Sequence, residues 1–433
     1  MNASPGRFRL ALAACAVFGL ALRIAYGLIA DVPNGFGDDV WYHEVANGLA
    51  GGRGFSDPFN TIDADGQRAF GNDGEPIATA FHLPLFPALL ALFSVVGIDS
   101  YTAHQVIGCA LGAATVGVCG LVARRLAGEA AGIAAAALAA VFLPLVIRDS
   151  LLMSESLYGL LIALVLLATL RLRDEPAWRN ALALGTLVGL AALTRSEALL
   201  FVLLLALPAV WRRPCAARNL AIVCAAVAVL CAPWAIRNTL EFDQPTLLTT
   251  GDGSVFAGAN LRSTYYGGFL GAWDFNGLYR SEAGRSVSLN EAVQSDRWRS
   301  EGLDYARDHT GRVPAVVAVR VLRTFELYPL DPFDRAEFAE TYYNHVKPLE
   351  YALLPLLLVA AGLALFAALA LRRGGVAVWP FAAPILLVVL VSALGYGDTR
   401  FRHAADVALV ILAGIGLVLA RERWTRAGIT GSP

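Results

Sequence analysis

Two adjacent acids, Asp38 and Asp39, follow the first long apolar run of the chain, within residues 37–43 (GDDVWYH). A carboxylate beside a bilayer is costly to keep there, so its presence indicates a function. Such a carboxylate can act as a general base that removes a proton from an attacking hydroxyl. These residues therefore predict chemistry at the surface of a membrane.

The same segment leaves simpler roles open. Either acid could cap the helix that follows, because Asp is favoured at a helix N-cap. Tyr42 and His43 lie within one turn of the acids and are candidate substrate-binding residues. His43 and the two acids could also hold a divalent cation, although no motif with metal-ligand spacing predicts a dedicated metal site.

The composition identifies a polytopic membrane protein. Hydrophobic residues make up 57% of the 433 residues and charged residues only 16%, which is too apolar for a soluble chain. Every basic residue except Lys347 is an arginine, so no lysine-rich tract indicates a nucleic-acid partner. The six cysteines lie in or beside apolar runs, without Cys-x-x-Cys spacing, and are expected to be buried apolar residues.

Apolar runs and arginine clusters predict the topology. Ten runs are long enough, or nearly so, to span a bilayer: 8–30, 101–123, 129–147, 151–171, 179–194, 197–211, 217–236, 349–371, 376–396 and 403–420. Arginine clusters lie at alternate ends of these runs, so that all of them fall on one face of the predicted bundle. The positive-inside rule makes that face cytoplasmic. Two long, acidic loops, 31–80 and 237–345, then face outward, with both termini in the cytoplasm.

Two further segments decide the count of spans. Residues 81–97 carry two prolines over a short length and predict a re-entrant or interfacial helix. Val313 to Leu330 is apolar on one side but carries charges, so we expect an amphipathic helix on the outer surface or an eleventh span. The prediction is one all-α transmembrane domain, residues 1–433, of about ten or eleven spans.

Five short motifs, in this order along the chain, resemble those of the GT-C membrane glycosyltransferases, in particular the protein O-mannosyltransferase and lipid A aminoarabinose transferase branch. The first is the acid-acid-x-x-Tyr pattern of Asp38, Asp39 and Tyr42. The others are residues 82–90 (HLPLFPALL), 193–196 (LTRS), 233–238 (PWAIRN) and 396–401 (YGDTRF). The chain departs from the family where Leu83 replaces a proline and where the C-terminal motif, residues 400–403 (RFRH), lacks the family's proline.

The resemblance implies a GT-C bundle and roles for several residues. It makes Asp38 the catalytic base, with Asp39 as its partner or as the base itself. It makes Glu155 a second acid that positions donor or acceptor; the alternatives are a helix cap behind Ser154 or an ion pair with Arg148. His82 stands where the aminoarabinose transferases carry a lysine and could donate to a phosphate oxygen, or it could be an ordinary interfacial histidine.

Several arginines sit at the outer ends of predicted spans, on the side where the acids lie. Arginine matches phosphate through two parallel hydrogen bonds. We therefore expect Arg400, Arg402 and Arg195 to bind the donor phosphate and Arg237 to contact substrate. The alternatives are ion pairs of Arg400 with Asp398 or Asp406, and loop-fixing roles for Arg195 and Arg237.

The expected function is transfer of a sugar from a polyprenyl-phosphate carrier to a lipid, polysaccharide or protein acceptor on the extracytoplasmic face, by one inverting displacement. The alternative is a polytopic lipid or solute transporter, which should show internal repeats and mid-membrane charges. A third reading is a non-catalytic scaffold, which leaves the acids and arginines on one face unexplained. The alanine- and arginine-rich composition favours a bacterial inner membrane.

Overall fold

The apolar runs fold into long helices in a computed structural model that describes residues 5–30, 37–71, 74–285, 287–329 and 347–430. Six described helices are long and apolar enough to cross a membrane: Gly6–Ile29, Tyr101–Val141, Glu155–Asp174, Ala216–Phe242, Tyr351–Arg373 and Thr399–Thr425. This confirms the prediction of a helical chain that crosses the membrane several times.

These six helices contain seven of the ten expected spans. The runs 101–123 and 129–147 share Tyr101–Val141, which is interrupted at Ala127 and at Gly128, where φ is 84°. Gly128 reaches this left-handed conformation without steric cost. Of the other three expected spans, two are helices of 15 and 16 residues, Trp178–Ala192 and Trp379–Leu394. The third, 197–211, is divided between 3₁₀, π and α turns, so these three are shorter than a bilayer core of about 30 Å requires.

The helices among the described residues receive the labels used below. In chain order they are α1 Pro5–Ala30, α2 Asp38–Ala50, α3 Leu85–Ser94, α4 Tyr101–Val141, α5 Leu143–Ser150, α6 Glu155–Asp174, α7 Trp178–Ala192, α8 Leu207–Val210, α9 Ala216–Phe242, α10 Gly251–Ala259, α11 Arg262–Tyr266, α12 Phe275–Arg280, α13 Glu282–Arg285, α14 Glu291–Asp308, α15 Val313–Thr324, α16 Lys347–Arg373, α17 Trp379–Leu394 and α18 His403–Thr430. A 3₁₀ turn, Ser196–Leu200, and a π turn, Val202–Ala206, precede α8, and a 3₁₀ turn, Thr399–Arg402, precedes α18.

The two long polar loops are ordered where they are described. The first contains α2 and an antiparallel sheet of order β2-β1-β3, with β1 Ser56–Ile62, β2 Arg68–Phe70 and β3 Glu75–Ala78. Its register pairs Asn60 with Phe70 and Ile62 with Glu75. The second loop contains α10 to α15, while its residues 330–345 lie outside the described residues. The sheet is not predicted by the sequence, because its strands are short and show little apolar alternation.

The helix that carries the two acids is anchored by its apolar face. Trp41, Tyr42, Val45 and Ala46 of α2 are buried in the main hydrophobic cluster, which also contains Phe86 of α3. The ten residues of α3 measure about 15 Å, half the thickness of a bilayer core. That residues 81–97 form a re-entrant or interfacial helix stays a prediction. The packing fixes the N-terminal end of α2 and its acids above the bundle.

An ion pair is buried among the spanning helices. Arg23 of α1 donates from Nε to Oδ2 of Asp149 on α5 at 2.8 Å, and both side chains are almost completely buried. A Cβ at Gly112 of α4 would collide with the Asp149 carboxylate, so this glycine makes room for the pair. A buried charge without its partner carries a large desolvation cost. The pair therefore ties α1 to α5 next to α4.

Asp149→Val should destabilise the protein by about 3–5 kcal/mol, because it leaves the Arg23 guanidinium buried and unpaired. The double variant Arg23→Met/Asp149→Val should recover most of that loss, since it removes both charges at similar volume. Thermal unfolding in detergent measures both. Equal stability of the single variant and the wild type would contradict a structural role for the pair.

Candidate functional site

The site is built around Asp38 at the first position of α2. The N-cap of α2 is Gly37, which makes no side-chain cap, so neither acid caps this helix. Asp38 Oδ2 accepts a hydrogen bond of 2.7 Å from Arg400 Nη1, and Oδ1 lies 3.4 Å from His82 Nε2. Three residues that the sequence singled out thus meet: Asp38 of the first loop, His82 of the segment before α3 and Arg400 of the turn before α18.

Opposing effects act on the Asp38 carboxyl. Burial alone would raise its pKa, but the charges and hydrogen bonds of His82 and Arg400 outweigh burial and hold the pKa well below its usual value. Asp38 is therefore ionised at neutral pH. The stability that this pairing adds is present above the unfolded-state pKa of about 4 and is lost only as the pH falls through the lowered pKa.

A second acid–arginine pair, formed by Glu155 of α6 and Arg195 in the segment after α7, lies beside the first. Glu155 Oε1 accepts from Arg195 Nη1 at 2.8 Å, and Arg195 Nε donates to Glu197 Oε1 at 2.7 Å. Tyr42 donates to Ser154 Oγ at 3.1 Å, which connects α2 to the start of α6. Burial, followed by the charges of Asp38 and Glu155, raises the pKa of Tyr42, so this hydroxyl remains a donor.

Both arginines of the site lie near one aromatic ring. The Phe401 ring has the Arg195 guanidinium carbon 5.3 Å from its centroid and that of Arg400 at 5.6 Å, within the range of cation–π attraction. Tyr396 accepts from Arg400 Nη2 at 2.6 Å. Guanidinium groups donate in the fork geometry that matches phosphate oxygens, and here each of the two is paired with carboxylates.

The structure places Asp39 and His43 away from this cluster. Asp39 accepts a 2.7 Å hydrogen bond from Tyr101 of α4. His43 Nδ1 lies 3.1 Å from His104 Nδ1, in a group that ties α2 to α4. Burial lowers the pKa of His43. The two acids thus have different partners. Among the described residues, no group of three metal-ligating side chains is found, including at His43 and the two acids, where the sequence left a divalent cation open.

Two of the predicted arginines make structural contacts instead. Arg402 is 2% exposed and pairs with Glu326 at 2.8 Å and with Asp406 at 3.0 Å. Arg237 of α9 donates to the backbone oxygens of Thr79 and Phe55, both at 3.0 Å, and so attaches the first loop to the bundle. Neither guanidinium contacts the Asp38 cluster, which matches the loop-fixing alternative for Arg237.

Sequence reasoning missed two residues that complete the site, Tyr396 and Phe401, which contact Arg400. Both belong to the YGDTRF motif, so the motif contained them but spacing alone did not assign them roles. Asp398 Oδ2 lies 3.5 Å from Arg400 Nε, the ion-pair partner that the sequence offered as an alternative for Arg400. Burial raises the pKa of Tyr396 to about 12, which keeps its hydroxyl neutral beside Arg400.

Comparison with known proteins identifies the fold. Residues 81–236 match the family model described as dolichyl-phosphate-mannose-protein mannosyltransferase. No curated protein sequence matches the chain. The apo oligosaccharyltransferase of Archaeoglobus fulgidus is similar, with a TM-score of 0.55 and 14% identity over 98% of this chain and 52% of that one. The archaeal oligosaccharyltransferase AglB in complex with an inhibitory peptide and a dolichol-phosphate, from the same organism, gives 0.52 and 15% over 98% and 52%.

The chain spans about half the length of these oligosaccharyltransferases. ArnT from Cupriavidus metallidurans, bound to undecaprenyl phosphate, is less similar, with a TM-score of 0.45 and 16% identity over 96% of this chain and 78% of that one. The resemblance predicted from the motifs is confirmed by the family match and by the shared fold. The protein is a multi-pass membrane protein with the GT-C fold.

Arg402→Gln should act on stability, because it leaves the buried carboxylates of Glu326 and Asp406 without their cation, at a cost of about 3–5 kcal/mol. Thermal unfolding in detergent should show a lower midpoint. The matched variant Arg400→Gln, two residues away and partly exposed, should lose less stability. A larger loss in Arg400→Gln than in Arg402→Gln would contradict this division of roles.

Proposed function

We propose that this chain is a glycosyltransferase that moves a sugar from a polyprenyl-phosphate carrier to an acceptor on the extracytoplasmic face of the membrane. The observation that carries the proposal is the contact of Asp38 with Arg400 and His82. It joins a carboxylate that can accept a proton to two groups that can bind a phosphate. The family match over residues 81–236 and the GT-C fold support it.

The donor phosphate binds between Arg400, His82 and Arg195 in this proposal. The guanidinium groups of Arg400 and Arg195 flank Phe401, and His82 lies against the rings of Trp41 and Tyr42. A phosphate that leaves the anomeric carbon gains negative charge, which these donors stabilise. The oligosaccharyltransferase structure that contains a dolichol-phosphate is of a protein with the same fold.

The proposed step is a single displacement. The acceptor hydroxyl oxygen attacks the anomeric carbon, the bond from that carbon to the phosphate oxygen breaks, and the hydroxyl proton passes to Asp38. The electron pair of the broken bond leaves with the polyprenyl phosphate. One direct attack inverts the anomeric centre, because no second carboxylate serves as a nucleophile in this scheme.

Glu155 and Tyr42 have positioning roles in this scheme. Glu155 is almost completely buried and bound to Arg195, so it holds that guanidinium in place. Tyr42 connects α2 to Ser154 beside Glu155, which keeps the Asp38 end of α2 in register with the second pair. We place Asp39 outside the chemical step because its carboxylate is bound to Tyr101.

We further propose a bacterial inner membrane with both termini in the cytoplasm. The arginine clusters at 124–125 and 372–373 lie at helix ends opposite the acid-rich loops in the predicted topology, and arginine-rich loops are retained in the cytoplasm. The site then opens to the extracytoplasmic side, where lipid-linked sugars and a lipid, polysaccharide or protein acceptor would meet.

Asp38→Asn should lower sugar transfer by about 10²- to 10⁴-fold, because it removes the general base while it preserves the shape of the side chain. The measurement is release of polyprenyl phosphate from a panel of polyprenyl-phosphate sugars, with purified protein and membrane extract as the source of acceptor. Asp39→Asn is the matched control and should stay within a few-fold of wild type. Equal losses in the two variants, or full activity of Asp38→Asn, would contradict the assignment.

A further inference from the structure

We propose that Arg400 exchanges partners during the reaction: it holds Asp38 in the ligand-free protein and passes to the donor phosphate when the donor binds, which releases Asp38 to act as the base. This inference rests on the proposed function and adds a regulation to the same site. Asp38 would then become an effective base only when the sugar donor is in place.

The contacts of Arg400 show which partner can be exchanged. Its guanidinium donates to Asp38 and to Tyr396 and lies 3.5 Å from Asp398. The side chain of Asp398 is 3% exposed and its oxygen Oδ1 accepts from the Arg400 backbone N–H, so this partner is built into the turn. The side chain of Asp38 is 32% exposed. A ligand from solvent or lipid therefore reaches the guanidinium on its Asp38 side.

The charge balance favours an exchange over simple addition. Asp38 and the incoming phosphate are both anions, and in the ligand-free protein Asp38 takes the Arg400 Nη1 donor and lies against His82. Leaving a phosphate unpaired beside Asp38 would add repulsion between two anions at short range. Placing Arg400 against the phosphate offsets the phosphate charge and gives it charge-assisted hydrogen bonds, and the phosphate charge beside Asp38 then favours proton uptake by that carboxylate.

The neighbouring pair lacks the same freedom. Arg195 is bound by both Glu155 and Glu197 and is 15% exposed, while the side chain of Glu155 is only 2% exposed. The carboxylates on both sides of Arg195 raise the pKa of its guanidinium against the effect of burial. Arg195 can therefore attract a phosphate without releasing a base, whereas Arg400 releases one. This difference assigns the exchange to Arg400.

The exchange changes the strength of the base. Bound to Arg400 and His82, Asp38 holds a proton weakly, which makes it a poor acceptor for the proton of a hydroxyl. Once Arg400 turns to the phosphate, Asp38 loses one of its two cationic neighbours, and its partial burial and the phosphate charge beside it favour the protonated form. In the proposed step the proton of the acceptor hydroxyl passes to Asp38 as the new glycosidic bond forms, and the polyprenyl phosphate leaves with the electron pair of the broken bond while Arg400 offsets its charge.

The test is the protonation midpoint of Asp38 by infrared difference spectroscopy of the full-length protein in detergent, with and without undecaprenyl phosphate. This probe carries the phosphate but no sugar, so no turnover interferes. Without it, the Asp38 carboxyl should stay ionised far below the ordinary value of about 4. With it, the midpoint should rise by at least about one pH unit, a tenfold change in proton affinity.

Variants identify the signal. Asp38→Asn should abolish the carboxyl band, and Arg400→Gln should show the raised midpoint without any ligand. Tyr101→Phe, which removes the hydrogen bond to the neighbouring Asp39, should behave as wild type. Binding of undecaprenyl phosphate is measured on the same sample. If it binds and the protonation midpoint of Asp38 does not change, the exchange is overturned. Failure to bind undecaprenyl phosphate and to turn over any polyprenyl-phosphate sugar overturns the proposed function itself, and the exchange with it.

Discussion

The contact between Asp38 and Arg400 is the interaction on which the rest of the site depends. The two residues are 362 positions apart in the chain, one at the start of α2 and one in the turn before the last helix. An ion pair between them forms only if the first and last parts of the bundle are packed in a fixed relative position. The buried pair of Arg23 and Asp149 and the packing of α4 against α1 and α18 fix that position.

The cost of placing charge beside a bilayer explains the arrangement of the site. Carboxylates and arginines alternate, with Asp38, Glu155 and Asp398 each close to a guanidinium. Each charge lowers the cost of burying its neighbour, since unpaired ions there are strongly disfavoured. The arrangement keeps two arginines close together on one aromatic ring, and Asp38, at 32% exposure, is more exposed than Glu155 or Asp398.

Much of the fold and of the candidate site could be predicted from the sequence. The hydropathy of the chain gave the membrane fold, and short motifs gave Asp38, His82, Glu155, Arg195 and Arg400, which the structure brings together. The motifs could not separate Arg400 from Arg402, because two residues on one tight turn face opposite sides and only the fold decides which side meets α2. The role of Arg237 was ambiguous because only the fold shows which groups its guanidinium reaches. The small sheet of the first loop was missed because its strands of three to seven residues depend on Arg237 and the loop contacts more than on local pattern.

The central claim is that the Asp38–Arg400–His82 cluster binds the phosphate of a lipid-linked sugar. An experimental structure of Asp38→Asn with a polyprenyl-phosphate sugar tests it most directly, because the variant can bind the donor without turning it over. The account predicts phosphate oxygens within hydrogen-bond distance of Arg400 and His82 and the anomeric carbon on the side of residue 38. A phosphate bound elsewhere, with Arg400 still against residue 38, would contradict it.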